Sequence, residues 1–184
     1  MDKGKFFFIT GGARSGKSTF AEKLALSISD KVLYIATSEV LDEEMARRVE
    51  LHKSSRPPSW KTIEEPLNID TILTKCGNDF QVVLVDCLTL FVTNHLFDKK
   101  YGEDLDSMVK RENEIHNKVK KLAEVCVEIN SNIIVVSNEV GMGLVPDNPL
   151  GRFYRDILGR SNQVMANKAH EVYFMVSGLP IKIK

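Results

Sequence analysis

Cysteine is scarce. Cys76, Cys87 and Cys126 are spread over 184 residues with no C-x-x-C pair among them. Zinc ribbons, redox dithiols and disulfide scaffolds need closer or more numerous thiols, so those classes are excluded and a reducing cytoplasm is expected. An excess of charge of one sign is also missing, because 25 basic residues balance 25 acidic ones. Without a broad positive field the chain lacks the electrostatic footprint of a DNA- or RNA-binding protein, and small molecules are the expected partners. No apolar run approaches the ~18 residues that a membrane span needs. The start, Met1 to Lys5 followed by Phe6-Phe7-Phe8-Ile9-Thr10, imitates a signal peptide, but its apolar part is too short and runs straight into a glycine-rich turn. It reads as a first strand. Internal repeats and low-complexity tracts are absent as well, and the length suits one core rather than two, so a single domain over 1–184 is expected.

What the chain does have is Gly11-Gly12-Ala13-Arg14-Ser15-Gly16-Lys17-Ser18, a match to GxxxxGK[ST] between an apolar run and an amphipathic stretch. In that context the motif is a phosphate-binding loop. Its glycines let the backbone curl so that successive N–H groups point inward at a phosphate, and the helix behind adds its positive end. Lys17 then reaches the β- and γ-phosphates, and Ser18 ligates Mg²⁺.

Apolar runs alternate with helical segments along the rest of the chain, which is the pattern of βαβ units and a parallel sheet. Strands are expected at Lys5–Thr10, Val32–Ala36, Val82–Asp86, Ile133–Ser137, Glu171–Val176 and Ile181–Lys184. The first four are continuously apolar, as strands covered on both faces are. The short Ser177-Gly178-Leu179-Pro180 linker favours an antiparallel hairpin at the end. Helices are expected at Thr19–Ser29, Asp42–Lys53, Asp104–Ile129 and Leu150–Ala169, the last with Pro149 at its start and an interruption near Gly159. Ser54–Ser59 and Asn138–Asn148 read as functional loops. The fold class is therefore α/β, phosphate-loop NTPase-like and RecA-like, with a mostly parallel central sheet flanked by helices and a C-terminal antiparallel hairpin.

A second nucleotide element follows from Val82–Asp86, an apolar strand ending in a carboxylate that can hold Mg²⁺ directly or through water. Ligands gather at the carboxyl ends of strands in such sheets, so Asp86 should face the crevice that Lys17 faces. Asn138 and Glu139 hold the corresponding place after Ile133–Ser137, and Thr37 and Ser38 after Val32–Ala36. They either touch phosphate and substrate or serve as turn and capping residues. His52 follows Met45 and Val49 at helical spacing with Lys53 and Arg56 just beyond. A lone helical histidine is commonly structural, yet an imidazole there can attack phosphorus and carry the transferred group. Solvated or packing roles are the default for His95, His116 and His170. Arg152, Arg155 and Arg160 suit an anionic substrate, a subunit contact or a solvated helix face.

GGARSGKS at 11–18, the ATS and R-x-x-x-H-K-x-x-R-P elements within 34–60, VVLVDCLTLFVTN at 82–94 and SNEVGMGLVPDNPLGRFYRDILGRSNQ at 137–163 resemble the bifunctional adenosylcobinamide kinase/adenosylcobinamide-phosphate guanylyltransferases of cobalamin biosynthesis. The resemblance runs nearly end to end. It implies two reactions: phosphorylation of adenosylcobinamide by ATP or GTP, then transfer of GMP from GTP through a GMP-histidine to adenosylcobinamide phosphate, giving adenosylcobinamide-GDP and pyrophosphate. By the same resemblance the guanylylated histidine is His52. The nucleotide contacts are Gly11, Gly12, Ala13, Arg14, Ser15, Gly16, Lys17, Ser18, Ala36, Thr37, Ser38, Lys53, Ser54, Ser55, Arg56, Glu64 and Asp86. The assembly implied is a homo-oligomer, with a trimer as the candidate state. A monofunctional phosphate-loop small-molecule kinase, which leaves His52 structural, and a regulatory NTP-binding switch are the alternatives.

Overall fold

The computed structural model describes residues 3–38, 56–98 and 104–184. The expected helix at Asp42–Lys53 lies outside the described residues, as do His52, Lys53, Ser54 and Ser55. Within them the chain order is β1 (Phe6–Gly11), α1 (Lys17–Ile28), β2 (Val32–Ala36), β3 (Lys61–Glu64), α2 (Ile69–Cys76), β4 (Val82–Asp86), α3 (Leu88–Leu96), α4 (Leu105–Glu128), β5 (Asn132–Asn138), α5 (Pro149–Lys168), β6 (Glu171–Val176) and β7 (Leu179–Lys182). The strands form one sheet in the order β3-β2-β4-β5-β1-β6-β7, parallel except for the β6/β7 hairpin.

The apolar runs become the sheet centre because both of their faces are covered. In β1, Phe6 and Phe8 join a core with Leu88, Phe91, Ile115, Val119 and Leu158 from α3, α4 and α5, whereas Phe7 and Ile9 join a second core with Ala21 and Ala25 of α1. The same alternation divides β5, with Ile133 and Val135 on the first face and Ile134 and Val136 on the second. A side chain's parity in its strand therefore decides whether it faces α1 or the α3–α5 layer.

Local chemistry sets the helix ends. Asp104 accepts a hydrogen bond from Ser107 N at 2.9 Å and starts α4, and Asn148 accepts from Gly151 N at 2.7 Å and starts α5 with Pro149 in its first turn. The expected break near Gly159 is absent: α5 runs unbroken from Pro149 to Lys168. A mid-helix glycine costs about 1 kcal/mol relative to alanine. Burial of Ile157, Leu158 and Met165 on the same helix outweighs that cost. The hairpin turn is also tighter than its four-residue linker suggested. Val176 pairs with Leu179, so only Ser177 (φ 51°) and Gly178 (φ 84°) form the loop, and β7 begins two residues earlier than expected. Positive φ at both positions is what a two-residue type I′ turn requires.

β3, α2 and α3 complete the architecture although the apolar-run pattern leaves them out. β3 pairs in parallel with β2 and places Glu64 beside Ala36.

At the other edge, the Glu171 carboxylate receives Lys182 Nζ (2.9 Å), Tyr173 OH (2.7 Å) and Lys5 Nζ (3.0 Å), tying β6 to β7 and to the segment before β1. These hydrogen bonds hold its pKa down at about 2, against an ordinary 4.5. A folded-state pKa below the unfolded one contributes stability above pH 4.5 that is lost as pH falls toward 2. Glu171→Gln should therefore show a shallower loss of stability than the parent between those values. Denaturant melts at stepped pH measure it, and parallel curves for the two proteins would refute the assignment.

Candidate active site

The phosphate loop leaves β1 at Gly11 and enters α1 at Lys17, so the sequence motif spans the carboxyl end of one strand and the amino end of one helix. Ser15 N donates to Gly12 O at 3.2 Å, which closes the turn. Gly16 stands at the helix N-cap with φ 91°, a conformation that L side chains resist. Its backbone lies against the β6–β7 turn: a Cβ there would sit 3.1 Å from Gly178 Cα, and Gly178 N donates to Ser15 O at 2.9 Å. The hairpin thus braces the outer side of the loop. On the inner side a cavity of about 280 Å³ is lined by Arg14, Ser15, Gly16, Lys17, Ser18 and Thr19.

Lys17 is 8% exposed, and its Nζ donates to Gly12 O at 2.6 Å. Burial lowers its pKa, and the nearby Cys87 and Asp86 partly oppose that shift. Asp86 ends β4 on the α1 side of the sheet, two residues beyond Leu84 of the same core. Its Oδ2 accepts from Tyr34 OH at 2.8 Å, and its Oδ1 has no hydrogen-bond partner among the described residues. Burial, and then the Asp86 charge, push the Tyr34 pKa up, so the phenol stays a donor. Arg56 lies over the Tyr34 ring with its guanidinium carbon 3.4 Å from the centroid, and Trp60 stacks on the same ring at 6.3 Å. A described member of the expected basic segment is thereby carried to the neighbourhood of Asp86.

Ala36 ends β2 beside these groups, and Thr37 and Ser38 follow it. Thr37 is fully buried; its Oγ1 accepts from Cys87 N at 2.7 Å and donates to Cys87 O at 2.8 Å. Its hydroxyl therefore braces the ends of β2 and β4. Asn94 completes the brace by donating to Thr37 O (2.9 Å) and Pro66 O (3.2 Å). Burial pushes the Cys87 thiol up to about 12, with Asp86 adding to the shift, which argues against a thiolate nucleophile. Glu64 lies at the sheet edge next to Ala36, farther along the same row of strand ends.

At the end of β5, Asn138 is the strand's last residue and Glu139 is turn chemistry: the Glu139 Oε1 accepts from Met142 N at 3.1 Å and from Gly141 N. His95 and His170 are packing residues, one near Leu67 O at 3.1 Å and the other accepting from Phe6 N at 2.8 Å. Arg160 pairs with Glu112, and Arg152 donates to Pro146 O and Asp147 O, so both brace local structure. Sequence reasoning missed Tyr34, Asn94 and Gly178 as site-building residues. A tyrosine in an otherwise apolar strand, obliged to find a partner for its hydroxyl, was the one available signal.

A sequence model of the family described as "Cobinamide kinase / cobinamide phosphate guanyltransferase" matches residues 7–183. The chain belongs to that family. It is 46% identical over 180 residues to Bifunctional adenosylcobalamin biosynthesis protein CobU of Escherichia coli, covering 96% of this chain and 98% of the relative. It is 43% identical over 178 residues to the protein of that name from Salmonella typhimurium, again covering 96% and 98%. With Bifunctional adenosylcobalamin biosynthesis protein CobP of Pseudomonas aeruginosa the identity is 40% over 176 residues, covering 96% and 95%. As a member of the family the chain is an enzyme of the kinase and guanyltransferase type, and the regulatory-switch alternative falls away.

Replacing Gly16 by alanine forces a Cβ toward Gly178 at a left-handed φ, where an L residue costs roughly 1–2 kcal/mol. Gly16→Ala should therefore weaken nucleotide binding about tenfold or more as the loop relaxes. Titration with a fluorescent ATP or GTP analogue reads this out, and parental affinity would show that the bend at Gly16 is dispensable.

Proposed function

We propose that this chain phosphorylates adenosylcobinamide with ATP or GTP and then transfers GMP from GTP to adenosylcobinamide phosphate. The observation that carries the reading is the placement of Lys17 and Asp86 on one side of the sheet, at the ends of strands separated by β5 alone. In the first reaction the aminopropanol hydroxyl attacks the γ-phosphorus and the nucleoside diphosphate departs. Lys17 and the loop amides of Gly11–Ser18 grip the phosphates and meet the charge that spreads over the transferred group.

Mg²⁺ fits the donor set. Ser18 Oγ and Asp86 Oδ1, which has no hydrogen-bond partner among the described residues, would offer the ion hard oxygen ligands, as magnesium held by one or two protein oxygens alongside phosphates and water requires. Among the described residues no group of three or more His, Cys, Asp or Glu side chains could hold a metal on its own, as suits an ion that arrives with its nucleotide. Bound there, the ion neutralises charge on the phosphate oxygens.

In the second reaction the His52 imidazole attacks the α-phosphorus of GTP and pyrophosphate leaves. The acceptor phosphate then displaces GMP from the imidazole, which splits one difficult displacement into two easier ones. Lys53, Ser54, Ser55 and Arg56 bind phosphate around it, with Ala36, Thr37, Ser38 and Glu64 completing the nucleotide contacts. Arg56, held over Tyr34 beside Asp86, supports bringing that segment to the same crevice.

We place the enzyme in the cytoplasm as a homo-oligomer, with the trimer that the resemblance implies as the candidate state. The unpaired thiols of Cys76, Cys87 and Cys126 support the compartment. Exposed apolar residues support self-association, among them Leu144 (97%) and Val145 (65%). Among the described residues no helix is long and apolar enough to cross a membrane.

Incubation with α-labelled GTP and Mg²⁺ followed by denaturation should leave acid-labile label on the protein. His52→Ala should abolish that label while retaining phosphorylation of adenosylcobinamide from γ-labelled nucleotide. An unlabelled parent protein that still phosphorylates would identify a monofunctional kinase instead.

A further inference from the structure

β5 lies between the strand that delivers the phosphate loop and the strand that delivers Asp86, yet neither reaction above uses its carboxyl end. Asn138 is the last residue of β5 and pairs with Gly11, the first residue of the loop. Parity places its side chain on the α1 side of the sheet, because Ile134 and Val136 face the α1 core while Ser137 turns to the opposite layer. Asp86 occupies the same side. The Asn138 side-chain amide makes no hydrogen bond among the described residues, whereas its main chain is clamped on both sides.

The clamp is unusual for a strand end. Thr89 Oγ1, on α3, accepts from Asn138 N at 2.7 Å, and Asn162 Nδ2, on α5, donates to Asn138 O at 2.9 Å. Asn162 Oδ1 also accepts from Ser137 Oγ at 2.7 Å. Thr89, Ser137 and Asn162 are each at least nine-tenths buried. One residue later, Glu139 N donates to Gly11 O at 2.9 Å and joins the strand end directly to the phosphate loop. Burying polar groups is costly unless they are paired. Here two helices commit buried side chains to hold one backbone position, and the side chain so presented has no hydrogen-bond partner among the described residues.

We propose that Asn138 is a catalytic residue of phosphoryl transfer, donating its amide N–H to an oxygen of the transferred phosphoryl group, and that Thr89 and Asn162 are positioning residues acting through its backbone. The proposal rests on the phosphate-loop reading above and adds a third strand end to it. A neutral amide suits this place. It stabilises developing negative charge without competing with Lys17, and it adds no repulsion toward a triphosphate already beside Asp86.

The test uses the full-length enzyme with ATP or GTP, Mg²⁺ and the cobinamide acceptor, with Lys17→Ala as control. Asn138→Ala should lower kcat for phosphorylation about 10²-fold, the usual effect of removing one such donor. Nucleotide affinity should stay within about threefold, because the contact matters in the transition state. Asn138→Asp, nearly the same size, should lose at least as much, since a carboxylate repels the phosphoryl oxygens. It also keeps the test available if the alanine variant does not fold. Thr89→Val should lower kcat with KM for nucleotide little changed, and Thr89→Ser should recover it; a merely structural threonine would lower the melting temperature and leave kcat alone. If Asn138→Ala and Asn138→Asp both keep parental kcat while Lys17→Ala is inactive, the proposal is overturned and the phosphate-loop reading stands. If Lys17→Ala is also fully active, that reading falls and the proposal with it.

Discussion

The in-register parallel pairing of β1 with β5, from Phe6 beside Ile133 to Gly11 beside Asn138, is the constraint on which the site depends. Parallel strands bring their carboxyl ends to one edge, and β4 pairs with β5 in the same sense, setting Asp86 beside Val136. Three chain segments far apart in sequence thereby end in one row. A shift of one residue in either ladder would turn Asp86 or Asn138 to the opposite face and exchange the two cores, since side chains alternate with period two. The continuous apolar character of these strands supplies no alternation to pin the register. Covering both faces with different helices, α1 on one and α3 to α5 on the other, takes over that task.

Among the described residues, hydrogen bonds from neutral side chains brace this row. Tyr34 on Asp86, Thr37 on Cys87, Asn94 on Thr37 and Asn162 on Ser137 and Asn138 join the strand ends to their neighbours. Among the described residues, Lys17, Asp86 and Arg56 bring charge to this row. The strong ion cluster, Glu171 with Lys5 and Lys182, lies at the distant sheet edge, where it fastens the hairpin.

Much of this arrangement was legible in the chain because it is local. The loop motif occupies eight consecutive residues, and the strands at Val32–Ala36, Val82–Asp86 and Glu171–Val176 coincide with their expected bounds. β3 was illegible since an exposed edge strand has neither an apolar run nor clean alternation. α3 follows β4 after a single residue, and with Leu88, Phe91, Val92 and Leu96 all buried it merges with the strand's apolar run. The proline and glycine signals near α5 were half informative: Pro149 marks its start, while Gly159 does not break it. Within the site, Tyr34 meets Asp86 across 52 residues and Asn162 meets Asn138 across 24, contacts that no spacing rule announces.

The central placement of β1 has a consequence for how the molecule is made. This strand ends at Gly11, yet its two neighbours in the sheet, β5 and β6, begin at Asn132 and Glu171. Its Phe6-Phe7-Phe8-Ile9 stretch has no sheet partner until β5 has been made, and Ser15 waits longer still for the amide of Gly178. Such sequence-distant pairing makes folding slow and leaves a sticky segment uncovered meanwhile. A nascent chain of this topology therefore carries β1 unpaired through the synthesis of β2, β3 and β4, and the phosphate loop gains its brace only when the β6–β7 hairpin closes.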